Sequence, residues 1–356
     1  METSHAGLAT TIGASAYVGH QETIGLGDAC YGAAMSGPPI LVTGGAGFIG
    51  SHLCDRLLAE GHHVVAVDDL ATGRMENLAA AFGHGEAFTF AEMDVRTEGL
   101  REVFNRHRPE VVMHLAAQAG VRPSLEDPDH DASVNIMGTL NVLRCASAVG
   151  SRKLVYAASG GTVYGEPTNL PVREPSADGS HPESPYGISK KVMLEYLAFY
   201  ARQRELEFTA LALGNVYGPR QDPTGEAGVI AIFASSMLAG GIPTIFGDGE
   251  QTRDYVYVED TVSAFFAAMD RAPGAMVNIG TGLETSVNSL HAILADIIGT
   301  RSDPKYGPQP AGELRKIALD NTLAASVLGW RPQTDLRSGL MRTVEYLGGP
   351  QPASSG

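Results

Sequence analysis

The stretch Gly44-Gly45-Ala46-Gly47-Phe48-Ile49-Gly50, directly behind the apolar run Ile40-Leu41-Val42, restricts this chain more than any other. Glycines at this spacing, between a strand and a helix, have separate tasks. Gly44 permits a tight turn, Gly47 lets a ligand approach the backbone, and Gly50 lets the helix pack close to the sheet. The helix that opens at Phe48 and Ile49 then turns unpaired N–H groups and a partial positive charge towards an anion. That arrangement suits the pyrophosphate of a dinucleotide. Asp68, with Asp69 beside it, closes the next apolar run, Val64-Val65-Ala66-Val67, at about the 20-residue offset of an acid that hydrogen-bonds a ribose diol. A carboxylate there repels a 2′-phosphate, so NAD is expected and NADP is not. Asp94, near the end of the third strand, either reaches the adenine or caps a loop.

From Ile40 onward, short β-branched runs alternate with longer amphipathic ones. Ile40–Val42, Val64–Val67, Val111-Val112-Met113 and Lys153-Leu154-Val155-Tyr156 read as strands buried on both faces. Helices are predicted over Phe48–Glu60, Glu98–His107, Asp131–Gly150 and Pro185–Arg204. The alternation means crossover units, hence an α/β fold with a doubly wound parallel (Rossmann) sheet. After about Leu213, Gly and Pro cluster in Gly218-Pro219, Gly240-Gly241 and Gly247-Asp248-Gly249, which predicts a smaller α+β substrate-binding domain. The NAD-binding domain is expected over 38–213, rejoined by about 254–280, where Asp254-Tyr255-Val256-Tyr257-Val258 and an apolar helix return to the first sheet. The second domain takes 214–253 and 281–347. Residues 1–37, free of Lys and Arg, read as a flexible extension, and 348–356 as a loose tail.

The 356 residues carry 25 Lys+Arg against 40 Asp+Glu, a formal net charge of −15. With no basic run to offset it, such a chain does not grip nucleic acid or an anionic membrane. No apolar stretch approaches the ~20 residues of a membrane helix. Small anions must therefore be met by local backbone dipoles, which the glycine turn supplies. Cys30, Cys54 and Cys145 are too few and too scattered for a disulfide framework or a zinc site, so no metal is expected. They read as packing residues in a reducing, cytoplasmic compartment.

The chemistry points elsewhere in the chain. Tyr186-Gly187-Ile188-Ser189-Lys190 opens the helix introduced by Ser184-Pro185, and residues four apart share a helical face. An ammonium beside a phenol favours the phenolate, which turns tyrosine into a proton acceptor nearer neutral pH. Some 25 residues earlier, Ser159-Gly160-Gly161-Thr162-Val163-Tyr164-Gly165 puts hydroxyls into a Gly-rich turn behind a buried strand.

Together these segments resemble the extended short-chain dehydrogenase/reductase superfamily, in its nucleotide-sugar epimerase and dehydratase branch. The resemblance runs from about Ile40 to Tyr346. It includes Val42-Thr43 with the glycine turn, His114-Leu115-Ala116-Ala117-Gln118, Asn215-Val216-Tyr217-Gly218-Pro219-Arg220-Gln221-Asp222-Pro223, Phe246-Gly247-Asp248-Gly249, Arg253-Asp254-Tyr255-Val256 and Asn278-Ile279-Gly280-Thr281-Gly282. Within the branch the chain looks most like the UDP-glucose 4-epimerases. The resemblance implies that Tyr186 removes the O4 proton of the sugar while the C4 hydride passes to NAD. Lys190 would hold the nicotinamide ribose and tune the phenol, and Ser159 would hydrogen-bond O4, with Thr162 as a possible substitute. Val95, Leu115, Ala116 and Ala117 would line the cofactor. Asn135 would order the site, and Asn215, Arg220, Arg253 and Glu313 would line the sugar and diphosphate.

Absences discriminate within the branch. Dehydratases carry an Asp-Glu pair beside the catalytic hydroxyl, and decarboxylases tend to place a glutamate in that turn. This chain has Gly160-Gly161 and no carboxylate until Glu166. UDP-glucuronate 4-epimerases often meet the sugar carboxylate with an arginine near position 222, where Asp222 would repel it. An arginine that usually contacts the diphosphate is replaced by Pro310, leaving Arg253 and Arg315 to carry that charge. Ile317 falls where some relatives have a bulky aromatic residue that excludes N-acetylated sugars. The expectation is a cytoplasmic, homodimeric UDP-hexose 4-epimerase, paired through the helices of 131–150 and 185–204. The alternatives are a UDP-glucuronate or UDP-N-acetylglucosamine 4-epimerase and, from another class, a non-catalytic sensor of NAD or nucleotide sugar.

Overall fold

The computed structural model describes residues 37–174, 181–224, 228–301, 303–309 and 314–348. In chain order the strands are β1 (Ile40–Thr43), β2 (Val64–Asp68), β3 (Phe88–Glu92), β4 (Val111–His114), β5 (Lys153–Ser159), β6 (Glu207–Leu213), β7 (Asn215–Tyr217), β8 (Thr244–Phe246), β9 (Thr252–Arg253), β10 (Tyr255–Tyr257), β11 (Ala275–Ile279), β12 (Thr285–Ser286) and β13 (Lys305–Gly307). Seven of them form one sheet in the order β11-β6-β5-β4-β1-β2-β3. Every pairing in that sheet is parallel.

Alternate residues of each strand feed opposite layers, as a period of two requires. Ile40, Val42, Val64, Ala66, Val111 and Met113 pack on one face with Leu53 and Leu57 of the Phe48–Ala59 helix and Phe265 of the Val258–Ala268 helix. Leu41, Val65, Val67, Val112, Leu154 and Tyr156 pack on the other with Phe104, Val142, Met193 and Leu197. Each buried aliphatic contributes about 1.5–3 kcal/mol. A strand covered on both faces has no side on which a polar residue reaches water, so the central runs are uninterruptedly apolar. β1 lies between β2 and β4, so the winding reverses beside it, and the crevice at the carboxyl ends of these strands is the usual ligand site of such sheets.

Helix prediction holds to within two residues for Phe48–Ala59, Leu100–His107 and Pro185–Arg204. The stretch predicted as one helix over 131–150 begins earlier, at Pro128. There Asp127 accepts a hydrogen bond from the backbone N–H of His130 at 2.9 Å and proline occupies the first turn. It runs as α-helix to Ala132, as a π-turn over Ser133–Gly138, and as α-helix over Thr139–Val149. One further expectation is corrected. Tyr255–Tyr257 does not join the large sheet; it pairs in parallel with Asn215–Tyr217. The strand that rejoins the sheet is β11, beside β6. β12 with β9 and β13 with β8 make two further pairs. Residues 1–36 and 349–356 lie outside the described residues, and with them nearly all of the expected extension and tail.

Candidate active site

The glycine turn is held by close backbone approach. Gly44 adopts φ +70°, and a Cβ there would stand 2.8 Å from the backbone N of Ala116. A Cβ on Gly50 would lie 2.0 Å from the carbonyl oxygen of Gly44, so the first turn of the helix and the end of β1 touch through glycine alone. Gly47 is different: its added Cβ would meet only the Gly44 carbonyl, at 3.2 Å. As the N-cap it provides no side chain to satisfy the helix's first N–H groups. Asp68, at the end of β2, accepts from the N–H of Ala46 at 3.0 Å and of Leu70 at 2.9 Å, and burial pushes its carboxyl above the ordinary range. With about four acceptor sites, the carboxylate can still take a further donor. An uncapped helix start, a glycine open to approach and an acceptor at the second strand's end fit a dinucleotide. Gly44, Gly47, Phe48, Ile49 and Asp68 would hold it, across from Leu115-Ala116-Ala117.

One strand pair away, β5 ends at Ser159 and the Pro185–Arg204 helix begins at its side. Ser184 caps that helix, accepting from the N–H of Gly187 at 3.2 Å, and proline occupies its first turn. The cap places Tyr186 and Lys190 one turn apart, facing β5. The Ser159 hydroxyl hydrogen-bonds the Tyr186 phenol. Lys190 is 3% exposed; its ammonium donates to the Ala157 carbonyl at 3.0 Å and lies 5.0 and 5.8 Å from the ring centroids of Tyr156 and Tyr186. Burial pushes the Tyr186 phenol up to about 12, against the Ser159 hydrogen bond, which lowers it. Burial also pulls Lys190 down to about 8, opposed by the Asp131 carboxylate. Thr162, the other candidate hydroxyl, is buried without a hydrogen-bond partner among the described residues.

Asn135 sits inside the π-turn, where the extra residue re-aims a side chain relative to a regular helix. Its amide brackets the backbone of Gln118, accepting from the N–H at 2.9 Å and donating to the carbonyl at 2.9 Å. A second polar chain runs beneath it. Thr139 Oγ1 donates to the Asn135 carbonyl at 2.7 Å, which commits its one proton, so it must accept from His114 Nε2 at 2.8 Å. His114 Nδ1 is then the acceptor for Thr43 Oγ1 at 2.7 Å, while Thr43 Oγ1 accepts from the N–H groups of Leu115 and Ala116 at 3.2 Å each. The ring is therefore the neutral Nε2–H tautomer. Burial, then the nearby Lys190, push its pKa down to about 3. His114 appeared in the sequence only as part of a matched segment, with no role of its own.

This geometry agrees with comparison to known proteins. The model of the NAD-dependent epimerase/dehydratase family matches residues 40–280. The chain belongs to that family. It is 47% identical over 307 residues to a UDP-glucose 4-epimerase of Mycolicibacterium smegmatis, covering 86% of this chain and 97% of that protein. It is similar to a UDP-glucose 4-epimerase of Thermotoga maritima solved with UDP-glucose, with a TM-score of 0.83 and 46% identity over 86% of this chain and 98% of that one. The Thermus thermophilus UDP-glucose 4-epimerase solved with NAD gives 0.81 and 39% identity, over 87% and 99% of the two chains.

Placed on this epimerase/dehydratase frame, the other expected site residues divide. Asn215 stands over the catalytic turn, its Oδ1 3.9 Å from where a Gly161 Cβ would be. Gly160 is confined: a Cβ there would meet Leu319 Cδ1 at 2.5 Å and the carbonyls of Ala212 and Leu213 at 3.0 and 3.1 Å. Arg253 is half-buried on β9, donating to the Thr252 carbonyl at 2.8 Å. Arg315 grips Asp248 with both guanidinium nitrogens, at 2.8 and 2.9 Å. Asp69 accepts from the N–H of Ala71, and Val95 is buried in the core. Three of the expected residues have protein neighbours of their own. Arg220 has φ +66° and pairs at 2.6 Å with Asp55 of the Phe48–Ala59 helix. Ile317 is 2% exposed, packed with Val163, Tyr164, Val172 and Leu319. Asp94 is clamped by Arg96, whose guanidinium holds its carboxyl below the ordinary range. Glu313 and Pro310 lie outside the described residues.

Proposed function

We propose that this chain is an NAD-dependent UDP-hexose 4-epimerase that interconverts UDP-glucose and UDP-galactose through a transient 4-keto sugar. The observation that carries the reading is the buried Lys190 ammonium behind a Tyr186 phenol that Ser159 hydrogen-bonds, at the same sheet edge as the glycine turn. NAD, when bound, supplies the acceptor and donor for the hydrogen on C4. The protein's residues manage the proton. Tyr186 takes it from O4 as the ketone forms and returns it on reduction. Ser159 holds O4 against the phenol, and the Lys190 charge lowers the cost of the phenolate. To invert C4, the keto sugar must turn over, and Gly161 leaves space for that beneath Asn215. Among the described residues no carboxylate hydrogen-bonds into the turn at 159–165: Glu166 is exposed and accepts instead from the N–H of Arg315 at 3.0 Å. This supports epimerisation over dehydration, which needs a second acid and base.

Residues 38–213 with 254–280 are assigned to NAD, and 214–253 with 281–347 to the nucleotide sugar. A homodimer belongs to the same reading. Met137, Ile188, Tyr196 and Phe199 are 56, 54, 39 and 44% exposed on the two expected helical segments, apolar surface that a second copy would cover. Light scattering that gave a monomer would overturn it. A cytoplasmic location is in keeping with the buried free thiols of Cys54 and Cys145, and among the described residues no helix is long and apolar enough to cross a membrane. One observation favours a second substrate, UDP-glucuronate: Asp222 is not a free carboxylate but pairs with Arg74 and accepts from Thr224. The deciding experiment is proton NMR of UDP-glucose with the purified protein and no added cofactor. UDP-galactose signals should grow to equilibrium, and Tyr186→Phe should slow them at least 100-fold with NAD still bound. Full activity of that variant would sink the mechanism, and reaction of UDP-glucuronate alone would replace the substrate.

A further inference from the structure

Asp131 takes no part in the reading above, yet it is a carboxylic acid only 1% exposed, at the back of the site. It lies on the short helix Pro128–Ala132. Its Oδ1 accepts from Asn135 Nδ2 at 2.9 Å, and beside it lies the Ser189 hydroxyl, which donates to the Tyr186 carbonyl at 2.9 Å. Its Oδ2 is buried with no partner among the described residues, and so is the hydroxyl of Tyr156 on β5. The groups that face it are Asn135 from the π-turn, Ser189, Lys190 and Tyr186 from the Pro185–Arg204 helix, Tyr156 from the sheet and His130 from its own helix. His114, locked neutral, adds no charge. Lys190, 3% exposed, is the buried cation among these groups.

An isolated charge in such a place is costly, and each of the pair makes the other tolerable. Burial drives the Asp131 carboxyl towards its neutral form, while Ser189, Lys190 and Asn135 favour the carboxylate. Burial drives Lys190 towards the free amine, while Asp131 favours the ammonium. The carboxylate also disfavours a phenolate on Tyr186. We propose that Asp131 is a positioning residue for proton transfer: it is the countercharge that holds Lys190 as an ammonium while Tyr186 gives and takes its proton. This rests on reading Tyr186 and Lys190 as the proton-transfer pair.

Asp131→Asn keeps the shape and removes the charge. Lys190 then loses its proton more readily, so the alkaline limb of kcat/KM against pH moves down by about 1–3 pH units. Tyr186 also ionises more readily, so the acid limb moves the same way. The variant should lose at least tenfold at pH 8 and recover towards pH 6, and Asp131→Glu should keep the limbs in place. A lower amplitude with unmoved limbs would mean a merely structural role and would overturn the proposal. A second readout needs no turnover. The chain has five lysines, so a 13C-lysine NMR titration can follow Lys190, assigned by the resonance lost in Lys190→Arg. Its midpoint should fall in Asp131→Asn, or in Asp131→Ser if the amide variant does not fold; an unchanged midpoint rejects the countercharge. Failure of the wild type to epimerise any UDP-sugar would reject the functional reading while leaving this titration to decide Asp131.

Discussion

Two glycine-bearing turns leave the carboxyl edge of the sheet, one after β1 and one after β5, and they use glycine for opposite ends. In the first, glycine closes space. Gly45 leaves no room for a Cβ, which would meet Ala66 Cβ at 2.7 Å, and Gly50 lies against the Gly44 carbonyl. In the second, Gly160 is just as confined by Leu319, but its neighbour Gly161 opens space beneath Asn215. On the proposed reading, the first turn is a rigid seat for a ligand that stays, and the second is a rim around which a sugar must move. A glycine's task is therefore set by what surrounds the missing side chain, and residue type alone does not separate the two cases.

The sharpest way to break the comparison is to add the missing methyl group. Gly50→Ala should be the most damaging change, because the added Cβ would stand 2.0 Å from the Gly44 carbonyl oxygen and no flexible side chain can yield. A loss of about 3 kcal/mol or more is expected, beyond ordinary overpacking, read as a lower Tm and loss of bound NAD. Gly161→Ala should leave Tm within about 1 °C, since nothing lies closer than 3.9 Å to the added carbon, and should slow turnover only a few-fold. If the two variants were equally destabilised, the distinction would fail. A smaller contrast sharpens the second turn. Ser159→Ala should reduce kcat by about 100-fold with little change in KM, in the range of a lost proton-transfer partner. Thr162→Ala, whose hydroxyl has no hydrogen-bond partner among the described residues, should cost less than tenfold. Reversal of that order would pass the hydroxyl's role to Thr162.

What was legible in the sequence follows the same division. Strands buried on both faces must be apolar throughout, so β1, β2, β4 and β5 stood out. β11 did not, because Asn278 interrupts its apolar run. The side chain is tolerated at 0% exposure since it donates to the Val172 carbonyl at 2.9 Å and accepts from the Tyr164 hydroxyl at 2.6 Å. Such partners lie more than 100 residues away and leave no local trace. The pairs built from β7 to β10 are two or three residues long, too short for a period to show, and the apolar Tyr255–Tyr257 therefore read as a strand of the main sheet. Ser159, Tyr186 and Lys190, which the structure brings together, were legible because they lie in two short motifs at a strand's end and a helix's start. Asp131 was not: an acid in a predicted helix reads as a solvated face. Its position four residues before Asn135 was the one available signal, since that spacing puts both on the same side. Arg220 hides a partner in the same way: its ion pair with Asp55 comes from a helix 165 residues earlier, which no local pattern announces.

The chain of side chains through His114 bears on where reactivity can occur. With Thr43 occupying one nitrogen and Thr139 the other, the imidazole has no lone pair to give a stray transition metal and no free nitrogen for an acylating reagent. It braces the dinucleotide turn against the π-turn as inert joinery. Although histidine is the side chain most apt to exchange protons near neutrality, this one is withdrawn from that trade, and on the proposed reading the traffic beside it is confined to a phenol and an amine.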